Sequence, residues 1–298
     1  IVADTSIEMS DDGDKTNEEN RAIFAAVESE VRRYLETGRK LDGTRPVTAG
    51  INVLLNVYAN MGIGVYKETV TYKAEKLPEK KTGYKDKKTG SAFFNSMAQK
   101  LGPLMFYMSK GKKGDKAVKA VAEKMDITGL NYAASRYDAD TKKYPDRVML
   151  GTETIISELP YNWERVKNHK NVIGDFAWAA WDYLGEAGVG DYMYYSYEGL
   201  PLLAGSGAID ISGNIGPEAV FEQVVWGLRK EPYLEVAPLN HASETPKKSA
   251  RRFTNGIDSW NWPGYEGRKT TATVYSDAPC VRLYLNDKLI GEKKTKDF

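Results

Sequence analysis

Two rhythms of apolar residues alternate along most of the chain. Ile23, Phe24, Val27, Val31, Tyr34 and Leu35 recur at helical spacing behind Thr16-Asn-Glu-Glu19, which has the form of a capping box, and predict an amphipathic helix to about Thr37. Val47-Thr-Ala-Gly-Ile51 follows as a short strand with little to offer solvent. Buried strands are predicted again at Ile127 to Tyr132, Val148 to Leu150 and Val172 to Asp182, and helices near 117–125, from Leu159 and from Pro217. In the last of these, Pro217 suits a first turn, and Ala219, Val220, Val224, Val225 and Leu228 complete the helix. Between Asn52 and Met125 the pattern opens into an insertion: a Gly- and Lys-rich loop, then Phe93, Phe94, Met97, Leu101, Leu104 and Met105 at helical spacing, a stripe that packs a core.

These elements form strand-to-helix units near 1–37, 47–125, 127–169 and 172–228, which is α/β architecture. Four such units make half of an eightfold barrel, which takes about 250 residues before insertions. Residues 1–230 are therefore expected to be a partial (β/α)8 TIM barrel, about strands 4–8, whose beginning lies elsewhere. Pro232, Pro238 and Pro246 punctuate a linker over 231–248. From 249 to 298 strands take over at Thr271 to Tyr275, Val281 to Leu285 and Leu289-Ile290, with a turn at Asn286-Asp287. An immunoglobulin-like sandwich needs about 100 residues, so this all-β segment is expected to be the start of one.

Charge removes several classes of partner. The net charge of +1 supplies no field for nucleic acid or an anionic membrane, and no apolar run approaches the roughly 20 residues of a bilayer span. The basic stretch Lys73 to Lys88 is diluted by Glu75, Glu79 and Asp86 and fits a solvated excursion. One cysteine, Cys280, excludes an intrachain disulfide framework and leaves location open, with the bacterial cytoplasm ahead of export. His169 and His241 have no Cys or His at ligand spacing, so no metal or other cofactor is expected. Gly62-Ile-Gly64 lacks the third glycine of a dinucleotide loop, and Gly205-Ser-Gly207 is not a nucleophile elbow. Without an initiator Met or a leader, Ile1 reads as a boundary within a longer chain.

Chemistry concentrates around Arg147-Val-Met-Leu-Gly-Thr-Glu153. Val148, Met149 and Leu150 read as a strand, Gly151-Thr152 as a sharp turn, and Glu153 is left at the strand's carboxyl end, where barrel enzymes carry out catalysis. A second concentration is Trp178-Ala-Ala-Trp181-Asp182, followed by a loop to Gly216 rich in tyrosine and glycine, which suits either a sugar rim or a homo-oligomer contact.

Five stretches in order then carry a family resemblance: Arg45-Pro-Val-Thr-Ala-Gly-Ile-Asn52, Gly129-Leu-Asn-Tyr132, Gly151-Thr-Glu153, Gly174-Asp-Phe-Ala-Trp178-Ala-Ala-Trp-Asp-Tyr-Leu-Gly-Glu186 and Asp258-Ser-Trp-Asn-Trp-Pro-Gly264. The chain resembles the carboxyl half of the catalytic barrel of glycoside hydrolase family 2, bacterial β-galactosidase type, running into the β-sandwich that follows it. The resemblance implies hydrolysis of a terminal β-linked sugar with retention, by double displacement between two carboxyl groups about 5–5.5 Å apart. It implies Glu153 as nucleophile and Tyr132 as a hydrogen-bond donor to it. Asn131, Trp178, Trp181, Asp182 and Glu186 are expected to bind substrate, with a structural loop-cap role equally open for Asp182 and Glu186.

For the acid/base the family uses the Glu of a Ser-Ile-Gly-Asn-Glu-like segment. Here Ser6-Ile7-Glu8 lacks the Gly-Asn, and Glu8 is the candidate by its place before the acid-rich loop and helix. A β-glucuronidase or β-mannosidase shares the same barrel and carboxylates. A non-catalytic carbohydrate-binding or assembly piece is the alternative from another class.

Overall fold

The computed structural model describes residues 2–4, 29, 31–60, 107–185, 202–242 and 251–296. The capping box at Thr16, the Phe and Met stripe, Glu8 and Glu186 lie outside the described residues. The chain divides into two compact units, Ile1–Thr154 with Glu164–Ala177, and Ile155–Trp163 with Trp178–Phe298.

The first unit is built on a parallel sheet. Its five strands are β1 (Val2–Asp4), β2 (Thr48–Asn52), β3 (Ile127–Asn131), β4 (Met149–Thr154) and β5 (Val172–Ala177), laid side by side in chain order. Helices lie between them in sequence: α1 over residues 31–41, α2 (Val53–Asn60), α3 (Lys112–Ala122), α4 (Tyr137–Lys143) and α5 (Leu159–Asn168). Thr48 to Ile51 and Thr128 to Asn131 are buried throughout, as expected of parallel strands covered on both faces. Alternate elements with strands in sequential order are the arrangement read from the hydrophobic pattern. No helix among the described residues is long and apolar enough to cross a membrane.

Three local differences from the sequence reading have physical causes. The polar stretch after Tyr132 holds a 3-10 turn (Ala134–Arg136) and α4, because it buries a charge network rather than an apolar face. The strand expected to stop at Leu150 runs on through Gly151 and Thr152 to Thr154. Gly151 is there for close approach: a Cβ would lie 2.1 Å from Asp175 Oδ1 and 2.5 Å from the Tyr137 hydroxyl. The strand expected to reach Asp182 stops at Ala177. Beyond it the backbone changes partners, with Ala208 N–H and Ile209 N–H donating to the carbonyls of Ala179 and Ala180 and Asp182 N–H to that of Ile209.

Arg136 is the hub of the charge network, at 1% exposure. Its guanidinium donates to Asp140 at 2.8 Å, to the Ser109 carbonyl at 2.8 Å and to Asp115 at 3.3 Å. Asp140 also receives Arg147 at 3.2 Å. Such a network ties α3 to α4 only while every member is satisfied.

The second unit takes in Ile155–Trp163 and the chain from Trp178 onward, and holds α6 (Pro217–Val225), whose Pro217 sits in the first turn after the Gly216 cap. Phe221 packs edge-on against Phe253 and Tyr275. The stretch read as a linker contains a strand, β6 (Tyr233–Val236), paired antiparallel with β7 (Ala272–Tyr275). Its four residues, two half-buried and then two buried, are too short a run to stand out between prolines. β8 (Cys280–Leu285) and β9 (Lys288–Lys294) form a separate hairpin. Asn286 and Asp287, at φ 48° and 62°, supply the left-handed turn that a two-residue hairpin needs.

Among the described residues of this unit three glutamates are buried: Glu218 and Glu222 on α6 and Glu235 on β6, at 3%, 7% and 4% exposure. Glu235 accepts the Thr254 and Tyr275 hydroxyls at 2.8 and 3.0 Å, and Glu218 accepts the Thr254 N–H at 3.3 Å. Burial, reinforced by the neighbouring Glu218, pushes the Glu222 carboxyl up to about 7.

Two outcomes are expected. Arg136→Met leaves buried Asp140 and half-buried Asp115 each with one fewer partner; urea unfolding of the full-length protein should show a loss of about 3–5 kcal/mol, and a loss below about 1 kcal/mol would show that the network adds nothing. Glu222 binds its proton more tightly folded than unfolded, so its stabilising contribution is complete below the ordinary value of 4.5 and is lost as pH rises through about 7. The thermal midpoint of this unit should fall across that window by differential scanning calorimetry, and Glu222→Gln should flatten the fall.

Candidate active site

The geometry around Glu153 starts from an irregularity between β3 and β4. Leu130 pairs with Gly151, but the next residue, Asn131, pairs with Glu153. Thr152 is thus an extra residue in β4, a bulge. In a regular strand Thr152 and Glu153 would face opposite sides; here both reach Asn131. The Thr152 hydroxyl donates to Asn131 Oδ1 at 2.6 Å, and Asn131 Nδ2 donates to Glu153 Oε1 at 2.7 Å.

Two glycines, register partners on adjacent strands, leave the space for this chain of bonds. A Cβ on Gly50 would lie 2.6 Å from Asn131 Oδ1, and one on Gly129 would lie 2.8 Å from the Thr152 methyl and 2.3 Å from the Ala49 carbonyl. Asn131 is 1% exposed, while Glu153 is half-buried. The amide is therefore fixed in the sheet and the carboxylate stands at its accessible end.

Tyr132 leaves β3 with φ 53°, an uncommon conformation for a residue with a side chain. That turn aims its backbone N–H at the Glu153 carbonyl, 2.7 Å away. Glu153 is held at its carbonyl by Tyr132 and at its carboxylate by Asn131. An amide donor favours the ionised carboxylate, which is the form that attacks an electrophilic carbon. Asn131, expected to meet sugar, is seen to meet the carboxylate. One residue on, the Thr154 hydroxyl lies 3.2 Å from Asp175 Oδ2 and 3.1 Å from the Phe176 carbonyl, tying the end of β4 to β5. The sequence reading missed Thr152 and Thr154. A threonine beside an acid carries no signal of its own, because only the strand register reveals the bulge.

In the second unit, Trp178 precedes a cis peptide to Ala179. The Arg251 guanidinium lies over its ring at 4.5 Å, and Tyr183 meets it edge-on at 5.8 Å. Trp181 is 57% exposed. The Asp182 carboxylate accepts the backbone N–H groups of Gly205, Ser206 and Gly207 at 3.3, 3.3 and 3.4 Å, which organises the loop that passes it. Gly207 has no room for a Cβ, which would lie 2.1 Å from the Asp182 nitrogen. Among the described residues no three His, Cys, Asp or Glu side chains gather as a metal site would require.

No family model matches the chain, and no curated protein matches it. Among solved structures it is similar to the crystal structure of a glycosyl hydrolase family 2 member from Bacteroides cellulosilyticus, at 26% identity and TM-score 0.61 over 91% of this chain and 28% of that one. It is also similar to a family 2 member from Bacteroides cellulosilyticus DSM 14838, at 25% identity and TM-score 0.57 over 91% of this chain and 26% of that one. The chain spans about a quarter of the length of the structures it matches. Both of these structural neighbours are members of glycosyl hydrolase family 2.

Proposed function

We propose that the chain is part of a retaining exo-β-glycosidase acting on terminal β-galactosides, with Glu153 as nucleophile and Glu8 as acid/base. The observation that carries this reading is a half-buried carboxylate at the carboxyl end of a parallel strand, supplied with an amide donor by Asn131. Support also comes from the family 2 neighbours, whose similarity extends over 91% of the chain. On this reading the five parallel strands are strands 4–8 of a (β/α)8 barrel, and residues 249–298 begin an immunoglobulin-like sandwich.

The chemistry follows from the two carboxyl roles. The Glu153 carboxylate attacks the anomeric carbon as Glu8 passes its proton to the departing oxygen, leaving a glycosyl ester. Glu8, now ionised, takes a proton from water, whose oxygen displaces Glu153 and restores both groups. Through the ionised steps Asn131 stabilises the charge on Glu153. Trp178 and Trp181 offer indole faces to the apolar side of a pyranose. Asp182 contributes by shaping its loop, and Glu186 binds a sugar hydroxyl.

In the full-length protein, Glu153→Gln should lower hydrolysis of an aryl β-galactoside by about 10⁴-fold or more, the scale on which loss of a covalent nucleophile acts, with an unchanged circular dichroism spectrum. Retained turnover would remove Glu153 from the role. Aryl β-galactoside should be cleaved at least tenfold faster than the β-glucuronide and β-mannoside at equal concentration; the reverse order would transfer the reading to one of those enzymes.

A further inference from the structure

We infer that Thr152 is a positioning residue for Glu153, acting through the Asn131 amide. The inference rests on the glycosidase reading above and adds a group that neither the motif nor the neighbours single out. An ionised carboxylate only accepts hydrogen bonds, so Asn131 must present Nδ2 to Glu153 and turn Oδ1 the other way. Oδ1 is then buried and needs a donor. The bulge in β4 brings that donor: Thr152 Oγ1 stands 2.6 Å away, on the strand that also carries Glu153.

The relay matters most when the charge is gone. Once Glu153 is esterified to sugar, the charge that selected the amide's orientation is neutralised. The Thr152 hydroxyl still satisfies Oδ1, and the amide waits with Nδ2 aimed at the oxygen that must regain its charge when water displaces the sugar. The space left by Gly50 and Gly129 fixes where the amide and the threonine lie, so the hydroxyl is the element of the relay that can be removed without disturbing the backbone. Thr152→Val keeps the shape and the β-branched contact with Gly129 but removes the Thr152 donor to Oδ1, which loosens the hold on the amide's orientation toward the carboxylate.

The test uses the full-length protein with an aryl β-glycoside that the wild type cleaves. Thr152→Val should lower kcat/KM by about 10–100-fold, a loss carried by kcat. Loss of a donor to the ionised carboxylate should also move the acidic limb of the kcat/KM profile to higher pH. Thr152→Ser, which keeps the hydroxyl and loses the methyl, should return kcat/KM to within about threefold of wild type. In an Asn131→Ala background, Thr152→Val should add no further loss, because its effect passes through the amide.

Wild-type kcat/KM and an unmoved acidic limb in Thr152→Val would overturn the inference. So would a Ser variant as impaired as Val, or a full additional loss in the Asn131→Ala background, since both make the threonine's packing the cause. If Thr152→Val does not fold, the Ser variant and the Asn131→Ala comparison with Thr152→Ser still decide it, by rescue or its absence. Failure of the glycosidase reading shows separately, as turnover that survives Glu153→Gln.

Discussion

A single extra residue in β4 sets the geometry of the candidate site. Because Thr152 is inserted opposite Asn131, two consecutive side chains of one strand address one amide of the next. A regular ladder cannot do this, since adjacent residues on a strand face opposite sides. Only one of Thr152 and Glu153 could then reach Asn131. The bulge converts a polar residue that would cost stability into a fixed donor for a carboxylate, and both glycines and the left-handed Tyr132 serve the same local arrangement.

The two units treat buried charge in opposite ways. In the first, Arg136 finds acceptors on α3, on the segment before α3 and on α4, so the charge stays. In the second, Glu222 has a buried oxygen without a partner among the described residues, and burial moves its ionisation toward neutrality. The contrast follows from geometry: a guanidinium has five donors in a fixed fork, whereas a carboxyl on a helix face beside another glutamate is best accommodated by keeping its proton. One arrangement stores stability in pairing, the other in protonation.

Hydrophobic rhythm made the parallel strands legible: Val47 to Ile51 is an apolar run buried throughout, and Val172 to Ala177 is a second run that forms its strand although Ile173 and Phe176 stand exposed. It also placed the closing helix at Pro217. It could not show α4, whose segment carries its energy in Arg136 and Asp140 rather than in an apolar stripe, nor β6, four residues between prolines. At the site, Glu153 and Asn131 were visible by their position at strand ends. Their connection was not, since it depends on register between β3 and β4, and a shift of one residue leaves no mark in composition. Gly151 was seen for the wrong reason: its role is to admit Asp175 and the Tyr137 hydroxyl, not to turn the chain.

The paired glycines bear on how this sheet can vary by descent. An alanine at position 50 is excluded while an amide occupies position 131, and an alanine at 129 is excluded while the Ala49 carbonyl and Thr152 stay where they are. Positions 50, 131 and 152 are therefore linked across three strands, and position 129 is held to glycine by the backbone as well. A lineage that abandons the carboxylate's amide is released at position 50, whose crowding comes from that amide, while the Ala49 carbonyl still holds position 129 to glycine; the return of bulk at position 50 would be the first trace of that loss.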